Sequence, residues 1–372
     1  MTFDTFDSEL YIRTLAGRAR FDQMPPRAPS ILARLTLAGA LMATPVSARA
    51  AQDVDLYAAA MKNHETEVTW YQSHFRTEAA EKIIRAFADK YPGIGINSFN
   101  STAAVAYQRV TQDLQAGASQ ADIFGTTDAT QMSVLKAAGN LEKFVPENVS
   151  LMVPAVKALN DPDGFYTVTY GILVALTYNT DNVKPADVPT NWTDLADKKW
   201  QGQVTLGSPN YSGGMAGWTV AMQQLYGPDF VQKLADNKPL VGRSMDDTLI
   251  HLNSGESSIA AGDVASTSRS IVRGNPLGIA YPSDGALLLV GPTAILKTSK
   301  RPNASKLFVD FLLSPEAARV IVSQFEQGLI VDAPAPLSGK PLKDIKTISV
   351  PTDVILKTLP GIKERWKTLF GE

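Results

Sequence analysis

Cysteine is absent from the 372-residue chain. That excludes disulfides, thiolate-bound zinc, iron–sulfur clusters and a thiol nucleophile. Histidine is almost as scarce: His64, His74 and His251 are the full set, too few for a His-rich metal centre. No run of 18 or more apolar residues occurs, so the sequence offers no bilayer-spanning helix. Strong charge of either sign is missing too. A net charge of -2 gives no electrostatic footprint for nucleic acid. The chain does hold apolar side chains at 44% against 19% charged, enough for a real core and, at this length, for two to three domains.

The first 50 residues read as an address rather than as fold. Arg27 and Arg34 flank the start of a short apolar run, Ile31 to Ala43, and Pro45 and Ala48-Arg49-Ala50 follow. A basic start, a short apolar stretch and a small-residue ending make a cleaved secretory signal. All the acids of this leader (Asp4, Asp7, Glu9, Asp22) precede Met24, so translation is expected to start at Met24. Removing the leader leaves a net charge of about -4. Export without cysteine excludes a lipid-anchored form. A free exported protein kept near the cell implies a Gram-negative periplasm.

Strand and helix then alternate. Glu67 to Tyr71 is β-rich, and Ala80, Ile83, Ile84, Phe87, Ala88 and Tyr91 share one helical face that Pro92-Gly93 ends. Ile94 to Phe99 and Ala121 to Phe124 are the next strands. Between and after them run helices capped at Ser101-Thr102 and at Thr126-Thr127-Asp128. This order predicts a parallel sheet with helices on its faces. Tyr170 to Tyr178 is too long for an ordinary strand and is expected to pass between two bodies. A second α/β body follows, with strands at 203–206, 240–241, 258–261 and 277–280 and helices at 215–226, 230–234 and 248–252. The apolar run Ala286 to Val290 returns to the first body. Helices are expected over 304–312, 315–325 and, after a proline-marked stretch, 362–370.

In such sheets ligands sit beyond the carboxyl ends of strands. Candidate residues there are Ser73, His74, Thr102, Thr127 and Asp128 in the first body. In the second they are Tyr211, Ser212, Gly213 and Arg243. Hydroxyls and unpaired backbone N–H groups at helix starts suit an anion, and an arginine can clamp a carboxylate or phosphate. Arg269 and Arg273 are the other arginines of that kind. The ordinary role of any one such Ser or Thr is plain capping, and the coincidence of loops is what points to a site. No HExxH, GxSxG or GxGxxG appears in context, and no nucleophile stands beside His74. No cofactor is expected.

Several motifs resemble one family. They are Thr77 to Pro92-Gly93-Ile94, Gln120 to Phe124, Tyr170-Gly171 with Thr177 to Thr180, Asn191 to Leu195 with Lys199 to Gly202, and Tyr281 to Gly285. Together they are similar to the extracellular solute-binding proteins of ABC importers, in the ferric-iron-binding-like subgroup. That subgroup also serves sugar phosphates, phosphonates, polyamines and thiamine. The resemblance implies an α/β, two-lobed periplasmic-binding-protein fold of the class II type with two crossing hinge strands. It implies a monomer that binds a small solute, partners an inner-membrane permease with its ATPase, and performs no chemistry. Ferric binders of the subgroup carry a Tyr-Tyr pair where this chain has Ala265-Ser266. The small, hydroxylic stretch from Gly262 to Ser268 therefore implies an organic ligand, with Asp263 and Ser266 added to the candidates.

The expected layout is leader 1–50, first lobe 51–169, second lobe 170–281, return to the first lobe 282–335 and a C-terminal helical segment 336–372 on the second lobe. The alternatives left open are an exported hydrolase or transferase on a two-lobed scaffold, and a ferric-iron or polyamine binder of the same fold.

Overall fold

The computed structural model describes residues 46–371. Met24 and nearly all of the expected leader lie outside them. The first helix, α1 (Val46–Lys62), begins inside the expected leader, so the expected cleavage point at Ala50 falls within it.

The chain then builds β1 (Glu67–Gln72), α2 (Thr77–Lys90), β2 (Gly95–Asn100), α3 (Ala103–Gln115), β3 (Ile123–Gly125) and α4 (Ala129–Ala137). Both β2 and β3 pair parallel with β1, as the alternation predicts. Their helices form because apolar side chains recur on one face. In α2, Ala79, Ala80, Ile83 and Phe87 are all buried. Phe87 meets the edge of Phe308 at 5.1 Å, and Phe308 meets Trp70 at the same separation. Phe308 lies on α10 (Pro302–Phe311), so the late part of the chain completes this core.

After α5 (Pro154–Lys157) comes the long strand β4 (Thr167–Asn179). The second half of the sheet holds β5 (Val204–Gly207), α6 (Gly213–Tyr226), α7 (Asp229–Asp236), β6 (Leu240–Gly242), α8 (Met245–Asn253), β7 (Ile259–Asp263), α9 (Val264–Val272) and β8 (Leu277–Ala280). Then β9 (Ala286–Ile295) returns, followed by α10, α11 (Pro315–Ser323), β10 (Thr347–Ile348) and α12 (Thr352–Phe370). Trp192, Trp218 and Leu234 are fully buried in the second half, and Trp366 of α12 joins their core.

One sheet path, β2-β1-β3-β9-β4-β7-β5-β6, connects both halves. Its register places the site. Gly125 at the end of β3 pairs with Thr293, which pairs with Thr167 of β4. Asp263 at the end of β7 pairs with Val174 of β4. β3 runs in the same direction as β4, and β7 runs against it. The carboxyl ends of the two strand groups therefore point at each other along β4, seven residues or on the order of 20 Å apart. Among the described residues, β4 and β9 are the strands that cross that gap.

Helices α1 and α5 and the short strand β10 were not expected from the sequence, and two further elements differ from the expectation in a way that can be explained. Helix α9 was not anticipated, because serine, threonine and valine, which are neutral to poor in helix interiors, outnumber Ala265 and Arg269 in its Val-Ala-Ser-Thr-Ser-Arg-Ser run. Helix α12 starts ten residues earlier than expected and carries Pro360 inside it. A proline removes one backbone donor, and this helix absorbs that loss on a half-exposed turn.

Candidate functional site

Three groups of side chains stand around the gap. The first lies at the ends of β1 and β3. Gln72 shapes the β1–α2 loop from beneath: its Oε1 accepts from the backbone N of His74 (2.7 Å) and of Phe75 (2.9 Å). Ser73 Oγ accepts from the Thr127 backbone N at 3.0 Å, tying the two loops together. Thr127 is exposed, and Ser73 is half-buried. Asp128 caps α4 and is fully engaged there, accepting from Thr130 N at 3.1 Å and from Thr130 Oγ1 at 2.6 Å. Thr102 caps α3 by accepting from Val105 N at 3.4 Å.

His74 takes a different place from the one expected of a ligand contact. It is 5% exposed. Its ring stacks on Tyr170 of β4, centroids 5.3 Å apart, in a slot left by two glycines. A Cβ on Gly125 would lie 2.8 Å from His74 Cε1, and one on Gly291 would lie 2.7 Å from Nε2. Neither ring nitrogen completes a well-formed hydrogen bond. Burial pushes the imidazole pKa down to about 4, and only the Thr126 backbone opposes this. His74 is thus a neutral packing residue behind the loops.

The second group lies at the ends of β5 and β6. Gly207 closes β5 against the α8 start, where a Cβ would meet the Ser244 carbonyl carbon at 2.8 Å. The following loop is a turn on Ser208, whose carbonyl accepts from Tyr211 N and Ser212 N. Ser212 caps α6 by accepting from Met215 N at 3.3 Å. The exposed Gly213 and its neighbour Gly214 then start the helix, where N–H groups have no intrahelical partner. Ser244 and Asp247 form a capping box that fixes the Arg243 backbone, with Arg243 N donating to Asp247 Oδ2 at 2.6 Å. The exposed Arg243 guanidinium lies 4.8 Å from the Tyr211 ring centre. Among the described residues it has no carboxylate partner.

The third group joins the halves. Asp263 caps α9 by accepting from Ser266 N (2.9 Å) and Ala265 N (3.3 Å). Ser266 Oγ accepts from Arg269 Nη2 at 3.1 Å. Arg269 Nη1 donates to Glu326 Oε1 (3.2 Å) and to the Gln324 carbonyl (3.1 Å). Tyr170 OH reaches Glu326 Oε2 at 3.3 Å. Burial, reinforced by the nearby Asp263, pushes the Glu326 carboxyl up to about 7. Burial also raises the Tyr170 hydroxyl pKa. Sequence reading missed Glu326 and Tyr170 here. No local pattern signals an ion pair between residues 57 positions apart.

The structure thus brings Ser73 and Thr127 together on one side, Tyr211, Ser212, Gly213 and Arg243 on the other, and Asp263 with Ser266 between. Thr102 and Asp128 act as caps, and His74 is buried. Among the described residues no three His, Asp or Glu side chains converge as a metal site would require.

The chain is similar to known proteins at three levels. The family profile described as bacterial extracellular solute-binding protein matches residues 118–347. An uncharacterized protein of Haemophilus influenzae is 25% identical over 254 residues, 66% of this chain and 72% of that one. Among solved structures, iron-bound HitA from Pseudomonas aeruginosa superposes with a TM-score of 0.68 at 21% identity, covering 81% of this chain and 99% of that one. AfuA from Actinobacillus pleuropneumoniae, with fructose-6-phosphate bound, gives 0.59 at 20% identity, covering 81% and 98%. Ferric iron-binding protein A of Mannheimia haemolytica, in an open conformation, gives 0.66 at 17% identity, covering 82% and 98%. These likenesses establish the two-lobed periplasmic-binding-protein fold.

Proposed function

Because the chain belongs to the bacterial extracellular solute-binding proteins, we propose that it captures a small organic anion between its halves and hands it to an ABC permease. Family membership supplies the solute-binding role in ABC transport. The class of solute, delivery from the periplasm and action as a monomer are the proposal.

One observation carries the anion reading: the Arg243 guanidinium, held over Tyr211 beside the Ser212–Gly213 helix start, with no carboxylate to neutralise it. Arginine in that setting can take a carboxylate or phosphate in a bidentate grip. The unpaired N–H groups of α6 and the positive end of its dipole add to the same field. Ser73 and Thr127 offer polar contacts from the other half.

A cation would need free carboxylates. Asp128 and Asp263 are both committed to capping backbone N–H groups, which weighs against a polyamine. Bare ferric iron is an available cargo on this fold, as the HitA structure illustrates for that protein. Here Ala265 and Ser266 supply no phenolate, and Ser266 is already bonded to Arg269. AfuA, a protein of the same fold, holds fructose-6-phosphate in its solved structure, so the fold also accepts an organic anion.

The test is to identify by mass spectrometry what co-purifies with the exported protein, then to titrate it calorimetrically. An organic carboxylate or phosphate whose affinity depends on Arg243 supports the reading. A cationic solute, or one indifferent to Arg243→Ala, overturns it.

A further inference from the structure

We propose that Arg269 and Glu326 form a proton-sensitive latch between the two halves, with the charge on Glu326 setting how firmly they are held together. Solute binding enters only in the consequence: if the halves close on a solute, its affinity follows the latch.

The placement comes first. Arg269 lies on α9, which starts at the carboxyl end of β7 in the second half. Glu326 follows α11, which packs on α2 in the first half. Their ion pair at 3.2 Å joins the halves beside the crossing strands β4 and β9, together with the contact of α12 with α4 and the apolar cluster that Val264 shares with Leu313 and Leu329. The side chains are 18% and 7% exposed. Backbone geometry is bent to make the contact. Phe325 sits at φ +71, a left-handed conformation costly for an aromatic residue. That reversal brings the Gln324 carbonyl before it and the Glu326 carboxylate after it onto one guanidinium.

The charge balance comes second. Facing Glu326 are Arg269 from α9, Asp263 from the end of β7 and Tyr170 from β4, with His74 buried and neutral behind Tyr170. Lys82 of α2 donates to Gln324 Oε1 at 3.1 Å and pairs with Glu78 at 2.8 Å. One arginine thus serves two carboxylates, Asp263 at 4.0 Å and Glu326 at 3.2 Å. Burial above all, with Asp263 adding to it, lets Glu326 hold its proton up to about pH 7 in the latched arrangement, against an ordinary value of 4.5. Released into water, it would return to the ordinary range. The arrangement that holds the proton more tightly is the one favoured as pH falls. The latch is accordingly firm in mild acid, with a neutral Glu326 bonded to Arg269. It loosens as pH rises through neutrality, where a second buried negative charge must be tolerated.

The absence of native cysteine allows a clean distance measurement. Gln108→Cys on exposed α3 and Lys233→Cys on exposed α7 place one spectroscopic label on each half of the full chain. The distance distribution is read without solute at about pH 5.5 and about pH 8, bracketing the Glu326 titration. The wild-type background should shift between two populations, their ratio changing roughly tenfold or more. Glu326→Gln mimics the protonated side chain and should stay in the low-pH population at both values. Glu326→Ala should leave it at both. A wild-type distribution indifferent to pH overturns the latch. So does a Glu326→Gln protein that keeps the wild-type pH response or sits in the high-pH population. Because no solute is present, either failure leaves the anion reading standing, and a wrong solute class leaves the latch standing.

Discussion

Arg243 stacks its guanidinium 4.8 Å from the ring centre of Tyr211, and the ring stays 61% exposed. Arg269, the other arginine of this half that reaches the gap, instead spends its donors on Glu326, Gln324 and Ser266. The two have the same chemistry and opposite availability. One has its donors open to a solute, and the other is built into the protein.

Substitutions should separate these roles. Arg243→Ala removes a charge-assisted contact of about 1.5–3 kcal/mol and should weaken solute binding ten- to a hundredfold. The melting temperature of the empty protein should stay nearly the same, since the side chain is exposed. Above pH 7, where Glu326 is charged, Arg269→Ala leaves the buried Glu326 and the half-buried Asp263 without their guanidinium and should cost about 3 kcal/mol of stability. Calorimetry and chemical denaturation on both variants check this. Loss of stability without loss of affinity in Arg243→Ala would reverse the assignment.

The slot that holds His74 should tolerate no added methyl. Gly125→Ala and Gly291→Ala each drive a Cβ to under 3 Å from the imidazole ring. Overpacking of this kind costs about 1–3 kcal/mol. His74→Ala combined with Gly291→Ala should recover part of that loss, because the clashing ring is gone. Denaturant midpoints of the two single variants and the double variant measure it.

Stability should carry a pH signature from Glu326. Its folded pKa is raised from 4.5 to about 7, so the folded protein keeps a proton that the unfolded chain has lost. Its contribution is full below pH 4.5 and is lost as pH rises towards 7. His74 acts in the opposite sense: its pKa is lowered from 6.5 to about 4, so the folded state gains stability as pH rises across that window. The two partly cancel in wild type. The stability of Glu326→Gln relative to wild type isolates the first effect and should increase between about pH 5 and pH 7.5. A constant difference would show that Glu326 titrates normally.

Stoichiometric ferric iron should produce no visible phenolate charge-transfer band, because this chain has Ala265 and Ser266 where the sequence resemblance to ferric binders implies a tyrosine pair. Hard Fe(III) prefers anionic oxygen donors, and a serine hydroxyl already bonded to Arg269 is a poor one. An intense band on addition of ferric citrate would make iron the cargo.

A saturating solute should compact the protein and return unchanged. Among the described residues, β4 and β9 are the strands that cross the gap, which suits a rigid-body hinge. Small-angle scattering should give a smaller radius with solute than without. At 100 times its Kd the solute should add about 2.7 kcal/mol of stability. Chemical conversion of the solute on incubation would favour the hydrolase or transferase alternative.

Local pattern determined much of this protein. The alternation of short β-rich runs with amphipathic helices fixes β1 to α4 and their parallel pairing, because burial on one face demands those periods. Capping residues mark the helix starts that ring the gap, since backbone N–H groups there must find partners nearby. What the tertiary structure decided was which of those residues are free. Asp128 and Asp263 are consumed by their own caps, His74 is buried against Tyr170 and two glycines, and Arg269 is claimed by a carboxylate 57 positions away. Periodicity and capping are written within a few residues of each other. Desolvation and ion pairing depend on which distant segments the packed core brings into contact, and neither is visible until the chain has folded.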